Sequence, residues 1–169
     1  MQIIAVLFAS LATLAAATPL PLNPDGNKAL VARADIVSVK CPTVNNAAEA
    51  TYSVKEIEDA YNIAVGLLQP PPHYATGKPN SQGVRKQYPA YYGNYQNIPV
   101  PADCNVPDLI EWNEFPILRG KVPFGDDSNA GPDRVVFARR NNNQFTYCFT
   151  VYHQDNADGQ GAGDFAQCT

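Results

Sequence analysis

The sequence predicts an α+β domain in which one N-terminal helix covers an antiparallel β-sheet. Three observations carry this prediction. A single capped, amphipathic helix stops at a run of three prolines, and the chain beyond it breaks into short apolar segments separated by turn residues. Four cysteines sit in a chain that opens on an apolar leader.

Ile3 to Ala17 is almost entirely apolar and ends in Ala15-Ala16-Ala17, a small-residue site suited to signal peptidase. At about 15 residues it is too short to span a membrane, and no later stretch is long enough. Residues 1–17 therefore read as a signal peptide rather than as a buried helix. Residues 18–33, with Pro19, Pro21, Pro24, Asp25 and Gly26, read as a disordered pro-segment. It ends at Val31-Ala32-Arg33, a single-basic processing site ahead of Ala34. One domain follows, 34–169, large enough for a single modest core.

Within it, Ser53-Val54-Lys55-Glu56 is a capping box that opens the helix. Apolar residues then recur at Val54, Ile57, Ala60, Tyr61, Ala64, Leu67 and Leu68, close to a 3.6-residue period. Pro70-Pro71-Pro72 ends it, because three successive residues lack an amide donor. His73 to Lys86 reads as a polar loop. Asp108 to Leu118, Arg134 to Ala138 and Phe145 to Tyr152 read as strands, with exposed loops over Gly120 to Gly131 and Asp155 to Gly163.

Cys41, Cys104, Cys148 and Cys168 are an even number in a chain with a leader, which predicts two disulfides. Three pairings are open at this point. Structural zinc is disfavoured: no C-x-x-C pair exists and the chain has only 2 histidines. Lys28 and Arg33 are the only Lys or Arg, and Asp25 the only Asp or Glu, ahead of Ala34. From Ala34 onward 10 Lys and Arg thus face 15 Asp and Glu, a net charge of −5 with His neutral. An acidic surface opposes the phosphate neutralisation on which non-specific nucleic-acid binding rests. Any RNA contact must therefore be local and built around a few focused cations. No Asn-x-Ser/Thr acceptor for N-glycosylation occurs.

The polar residues of the C-terminal half form an ordered set. Tyr88-Pro89 comes first, then Glu114-Phe115-Pro116, then Gly131-Pro132-Asp133-Arg134-Val135-Val136. Thr150-Val151-Tyr152-His153 follows, with Gly163-Asp164-Phe165 and Cys168 close behind. Alternation puts Trp112, Glu114 and Pro116 on one face of a strand. Arg134 enters a strongly apolar strand, where its charge needs an anion or a carboxylate such as Asp133 or Glu114. His153 closes the last predicted strand and is poised to donate a proton at mildly acidic pH. Singly, each residue also fits an ordinary structural role.

Together, in this order, these motifs resemble the secreted fungal ribonucleases of the T1/U2 type, over roughly residues 41–169. The resemblance implies a helix on a twisted antiparallel sheet, with single-stranded RNA bound across the sheet's concave face. It also implies Glu114 as base and His153 as acid, with Arg134 and Tyr88 on the phosphate and Phe165 flanking the site. Such an enzyme cleaves through a 2′,3′-cyclic phosphate and needs no metal or organic cofactor. The implied disulfides are Cys41–Cys168 and Cys104–Cys148. For the base, Tyr92 and Tyr95 would sandwich a purine, and Asn94 with nearby backbone would read its edge. Gln96 stands where guanine-specific members carry a Glu, and Gly163 where some members carry an Asn. The resemblance thus implies cleavage after purines with guanine preferred, while Gln96 and Gly163 argue against strict guanine specificity.

One position breaks the pattern. The family reads Tyr-Pro-His where this chain reads Tyr88-Pro89-Ala90. The family's histidine holds the base carboxylate and contacts the 2′-hydroxyl, and an alanine does neither. Two readings follow. The chain is a secreted, monomeric endoribonuclease of reduced activity, in which case Ala90→His raises its rate strongly. Alternatively, it is an inactive ribonuclease-like effector that binds RNA or a host protein. A ribosome-cleaving toxin of the same fold is disfavoured, because the domain is acidic and lacks a long Lys-rich loop.

Overall fold

The computed structural model describes residues 35–80, 83–154 and 163–169. The leader, the pro-segment and all but Gly163 of the predicted 155–163 loop lie outside the described residues. The expected helix is present as α1 (Val54–Leu68). Its capping box is closed in both directions: the Glu56 amide donates to Ser53 Oγ at 3.3 Å, and the Ser53 amide donates to Glu56 Oε2 at 2.8 Å. Ile57, Ala60, Tyr61, Ala64, Val65 and Leu68 form its buried face. Val54 lies at the exposed start and Leu67 is only partly buried, so the stripe is narrower at both ends than the apolar spacing suggests.

Around α1 the chain forms β1 (Val39–Cys41), β2 (Ala50–Tyr52), β3 (Ala75–Thr76), β4 (Gln87–Tyr88) and β5 (Ala90–Tyr91). After a 3₁₀ turn (Ala102–Cys104) come β6 (Leu109–Pro116), β7 (Asp133–Arg140), β8 (Phe145–His153) and β9 (Phe165–Gln167). The main sheet runs β5-β6-β7-β8-β9 in sequence order, antiparallel throughout. β1 pairs with β2, and β3 with β4, as two small side ribbons. The three predicted strands are β6, β7 and β8. The predicted 73–86 loop is interrupted by β3, which pairs Ala75 with Tyr88 and Thr76 with Gln87.

Each face of the sheet carries a core. On one, α1 packs Ile57, Tyr61 and Leu68 over Phe115, Val135, Phe137 and Tyr147. Burying each large apolar side chain stabilises the fold by about 1.5–3 kcal/mol. On the other, Tyr92, Ile98, Val136, Ala138, Phe149 and Val151 form a second cluster, with Trp112 and Phe165 against it. The β7–β8 register shifts between Val136 and Phe137, leaving Cys148 as the extra residue of β8. Both Cys104 and Cys148 belong to this second cluster.

The disulfides are Cys41–Cys168 and Cys104–Cys148, as the resemblance implied. The first ties β1 to the chain just after β9, where Lys40 and Thr169 also exchange backbone hydrogen bonds. Its ends are separated by 127 residues and those of the second by 44. On the chain-entropy relation these closures stabilise the fold by roughly 5 and 4 kcal/mol. Replacing either pair by serine is expected to lower the urea midpoint, with the Cys41/Cys168 pair costing more.

A buried ion pair fixes the far end of the sheet. Asp133 accepts from Arg119 Nε at 2.7 Å and Nη2 at 2.9 Å, and from the Tyr52 hydroxyl at 2.6 Å. Arg119 also donates to the carbonyls of Pro42, Ala47 and Ala48, which pins the β1–β2 connection to the sheet.

Candidate active site

In an antiparallel ladder, directly opposed residues share a face. Register therefore places Ala90, Glu114, Val136 and Phe149 in one row across β5 to β8, with Pro116, Arg134 and Val151 in the next. His153 opposes Phe165 across β8–β9. The three polar motifs thus converge on the face opposite α1. Beside them opens a cleft of about 340 Å³. Glu114, His153, Phe165, Tyr92, Asn94, Tyr95 and Gln96 all line it. A smaller cavity of about 130 Å³, between α1 and the 116–124 segment, contains neither the imidazole nor Glu114.

Glu114 is only 1% exposed. A carboxylate this deep needs a charge partner, and Lys86 supplies it: Nζ donates to Oε1 at 2.5 Å. Oε2 is buried without a hydrogen-bond partner. Ala90 lies directly across the ladder from Glu114, so the position where the resemblance implies an imidazole faces the carboxylate itself.

His153 is 3% exposed, and its ring lies 3.9 Å from that of Phe165, centroid to centroid. Nδ1 faces the Gly163 carbonyl at 3.2 Å, which orients the ring in the tautomer that donates there. Nε2 has no partner and is buried. Burial pushes the imidazole down to about 3, and the neighbouring Arg134 charge pushes in the same direction. The Gly163 contact opposes this shift, and Lys86 adds to it. The sequence reading had His153 ready to donate at mildly acidic pH. In the free protein it is instead neutral there.

Arg134 is fully buried. Its Nη1 donates to the carbonyls of Ala130, Gly131 and Asp133 at 2.7–3.0 Å, and its Nη2 donates to the Tyr88 hydroxyl at 3.0 Å. Tyr88 is likewise fully buried and packs edge-on against Phe124. Arg134 and Tyr88 are therefore buried together and do not line the cleft. The guanidinium of Arg134 and the ammonium of Lys86 both lie about 5.2 Å from the Tyr88 ring centroid.

The stretch expected to recognise the base departs from that expectation at Tyr92. Its ring is 2% exposed and packed against Phe149 and Phe165, so it is not free to stack on a base from one side. Tyr95, 81% exposed, is the free ring, and it lies over Gly93, where a Cβ would meet it at 2.4 Å. Asn94 (φ 46°) closes the loop on itself: Nδ2 donates to the Ile98 carbonyl and Oδ1 accepts from the Ile98 amide, both at 2.9 Å. Its side chain thus shapes the loop. Gln96 Nε2 donates to Asp164 at 2.9 Å, so the carboxylate at this rim belongs to Asp164.

Lys86, Gly93, Tyr91 and Asp164 are the cleft residues to which the motif reading gave no role. Among the described residues, no three His, Cys, Asp or Glu side chains gather as metal ligands, and no helix is long and apolar enough to cross a membrane.

A ribonuclease family profile matches residues 40–169, from β1 through the end of β9 and both disulfides. No curated protein matches the chain. The match spans the helix, the sheet and every motif converging on the cleft, and the chain belongs to the T1/U2 family of ribonucleases.

Proposed function

We propose that this ribonuclease cleaves single-stranded RNA after purines, without a metal, by transesterification to a 2′,3′-cyclic phosphate. The observation that carries the reading is a pair of buried, unpartnered atoms, Glu114 Oε2 and His153 Nε2, on two residues that line one cleft. Glu114 Oε2 takes the 2′-hydroxyl proton, and O2′ attacks phosphorus as the P–O5′ bond breaks. His153 Nε2 delivers a proton to the departing O5′. A phosphodiester bound between Lys86 and His153, near the buried Arg134 charge, brings a negative charge that offsets the two cations. It thereby favours the imidazolium that the free protein disfavours.

Tyr95 stacks on the base, while Tyr92 supports the cleft floor. Purine preference follows from the larger stacking area, and Gln96 lacks the charge to bind guanine's N–H groups strongly. Turnover is slower than in a protein with an imidazole at position 90, since one positioned acid–base group contributes about 10² to 10⁴ in rate. Residues 1–17 direct secretion and residues 18–33 are a pro-segment, so the protein acts outside the cell as a monomer.

The alternative, an inactive effector that binds RNA or a host protein, is favoured by Ala90 standing in register with Glu114. Digestion of poly(A), poly(G), poly(C) and poly(U) in EDTA separates the readings. Cleavage of the purine polymers first supports the enzyme. Cleavage that requires added metal, or none of any polymer, removes it. Within that assay, Tyr95→Ala is expected to raise KM about 10- to 100-fold with kcat little changed, because base–aromatic stacking contributes about 1–3 kcal/mol.

A further inference from the structure

Building on that reading, we propose that Lys86 is a catalytic residue of this chain, a cation supplied from β4's side of the cleft where β5 offers only Ala90. Three features lead there. Lys86 Nζ holds Glu114 Oε1 at 2.5 Å, leaving Oε2 as the oxygen free to accept a proton. The Lys86 side chain is 41% exposed while that of Glu114 is 2% exposed, so the ammonium bridges the buried base and the open cleft. It also lies 5.2 Å from the centroid of the Tyr88 ring, the same distance as the Arg134 guanidinium, so both cations contact one aromatic ring.

An ammonium carries three N–H donors, of which Glu114 takes one. A second reaches a non-bridging oxygen of the phosphodiester, so that Lys86 orients Glu114 and steadies the charge that builds on phosphorus. Protons and bonds balance without Lys86 giving up its own proton. The 2′-hydroxyl proton goes to Glu114, the leaving oxygen takes one from His153, and Lys86 stays an ammonium throughout. The opposite role, a lysine that occupies Glu114 and blocks it, predicts the reverse effect of its removal.

The test compares wild type with Lys86→Met, Lys86→Arg and Lys86→Met/Ala90→His, each confirmed folded by thermal melting. Lys86→Met is expected to lower kcat/KM on RNA by about 100-fold, mainly in kcat. Lys86→Arg should keep most of the activity, and Ala90→His should restore part of what Lys86→Met loses. In the wild-type background Ala90→His then gains less than in Lys86→Met. Lys86→Met activity equal to or above wild type overturns the proposal.

Calorimetric binding of guanosine 3′-monophosphate supplies an arm that does not need turnover. Lys86→Met should weaken it about tenfold, and unchanged affinity overturns the phosphate contact. If wild type itself cleaves no RNA, the proposed enzyme fails, while the binding arm still decides whether Lys86 meets the phosphate.

Discussion

Glu114→Gln is expected to lower kcat/KM on RNA by about 10² to 10⁴ while leaving the melting temperature nearly unchanged. The substitution keeps the side chain's shape inside the row Ala90–Glu114–Val136 and still offers an acceptor to Lys86. What it removes is the basicity of Oε2, the carboxylate oxygen that has no partner of its own. The loss should fall on kcat, because the 2′-hydroxyl proton moves only as the new bond forms. Lys86 loses its counter-charge but is partly solvated, so the fold has little reason to suffer. A variant that cleaves at the wild-type rate would mean that Glu114 is a structural acid.

His153→Gln is expected to cost a similar factor in rate and, separately, to change how stability depends on pH. In the folded protein the imidazole is depressed to about 3, mainly by burial and then by Arg134. The unfolded chain binds that proton at about 6.5. Between these values the unfolded state holds more protons, so stability rises with pH. The contribution is fully present above pH 6.5 and is lost as pH falls toward 3, on the order of 5 kcal/mol in all. Urea unfolding of His153→Gln should therefore show a shallower loss between pH 6 and 4 than wild type. Parallel slopes would mean that His153 is not held neutral. Because bound phosphate opposes the Arg134 charge, the alkaline limb of kcat should also lie at higher pH than that of kcat/KM.

Local signals in the sequence were legible where they were complete. The capping box and the three prolines mark α1 to within a residue at each end. The long apolar runs mark β6, β7 and β8. The six other strands are two or three residues long, too short for alternation to show, and they form because the long strands and the side ribbons offer partners. The motif order placed Glu114, His153, Phe165, Tyr95 and Gln96 at one cleft, since each lies on a sheet residue or a short loop beside one.

Lys86 was illegible because a lone lysine in a polar loop looks like a solvated charge. Its contact with Glu114 is 28 residues away in sequence and exists only once β4 and β6 lie side by side. Tyr92 and Tyr95 are chemically identical in sequence, and only packing shows that one belongs to the second core and the other to solvent. Likewise nothing in Asp133-Arg134 shows that Asp133 turns to Arg119 and Tyr52 while Arg134 is clasped by carbonyls.

The central claim is that Glu114 and His153 cleave RNA through its own 2′-hydroxyl despite the alanine at position 90. Its most direct test is the reaction of the disulfide-bonded protein with the dinucleoside phosphates GpC and ApC in EDTA, beside a Glu114→Gln/His153→Gln control. A 2′,3′-cyclic purine phosphate that accumulates with wild type and not with the control is the predicted result. No cyclic phosphate above the control would contradict the account and leave a ribonuclease fold retained for binding.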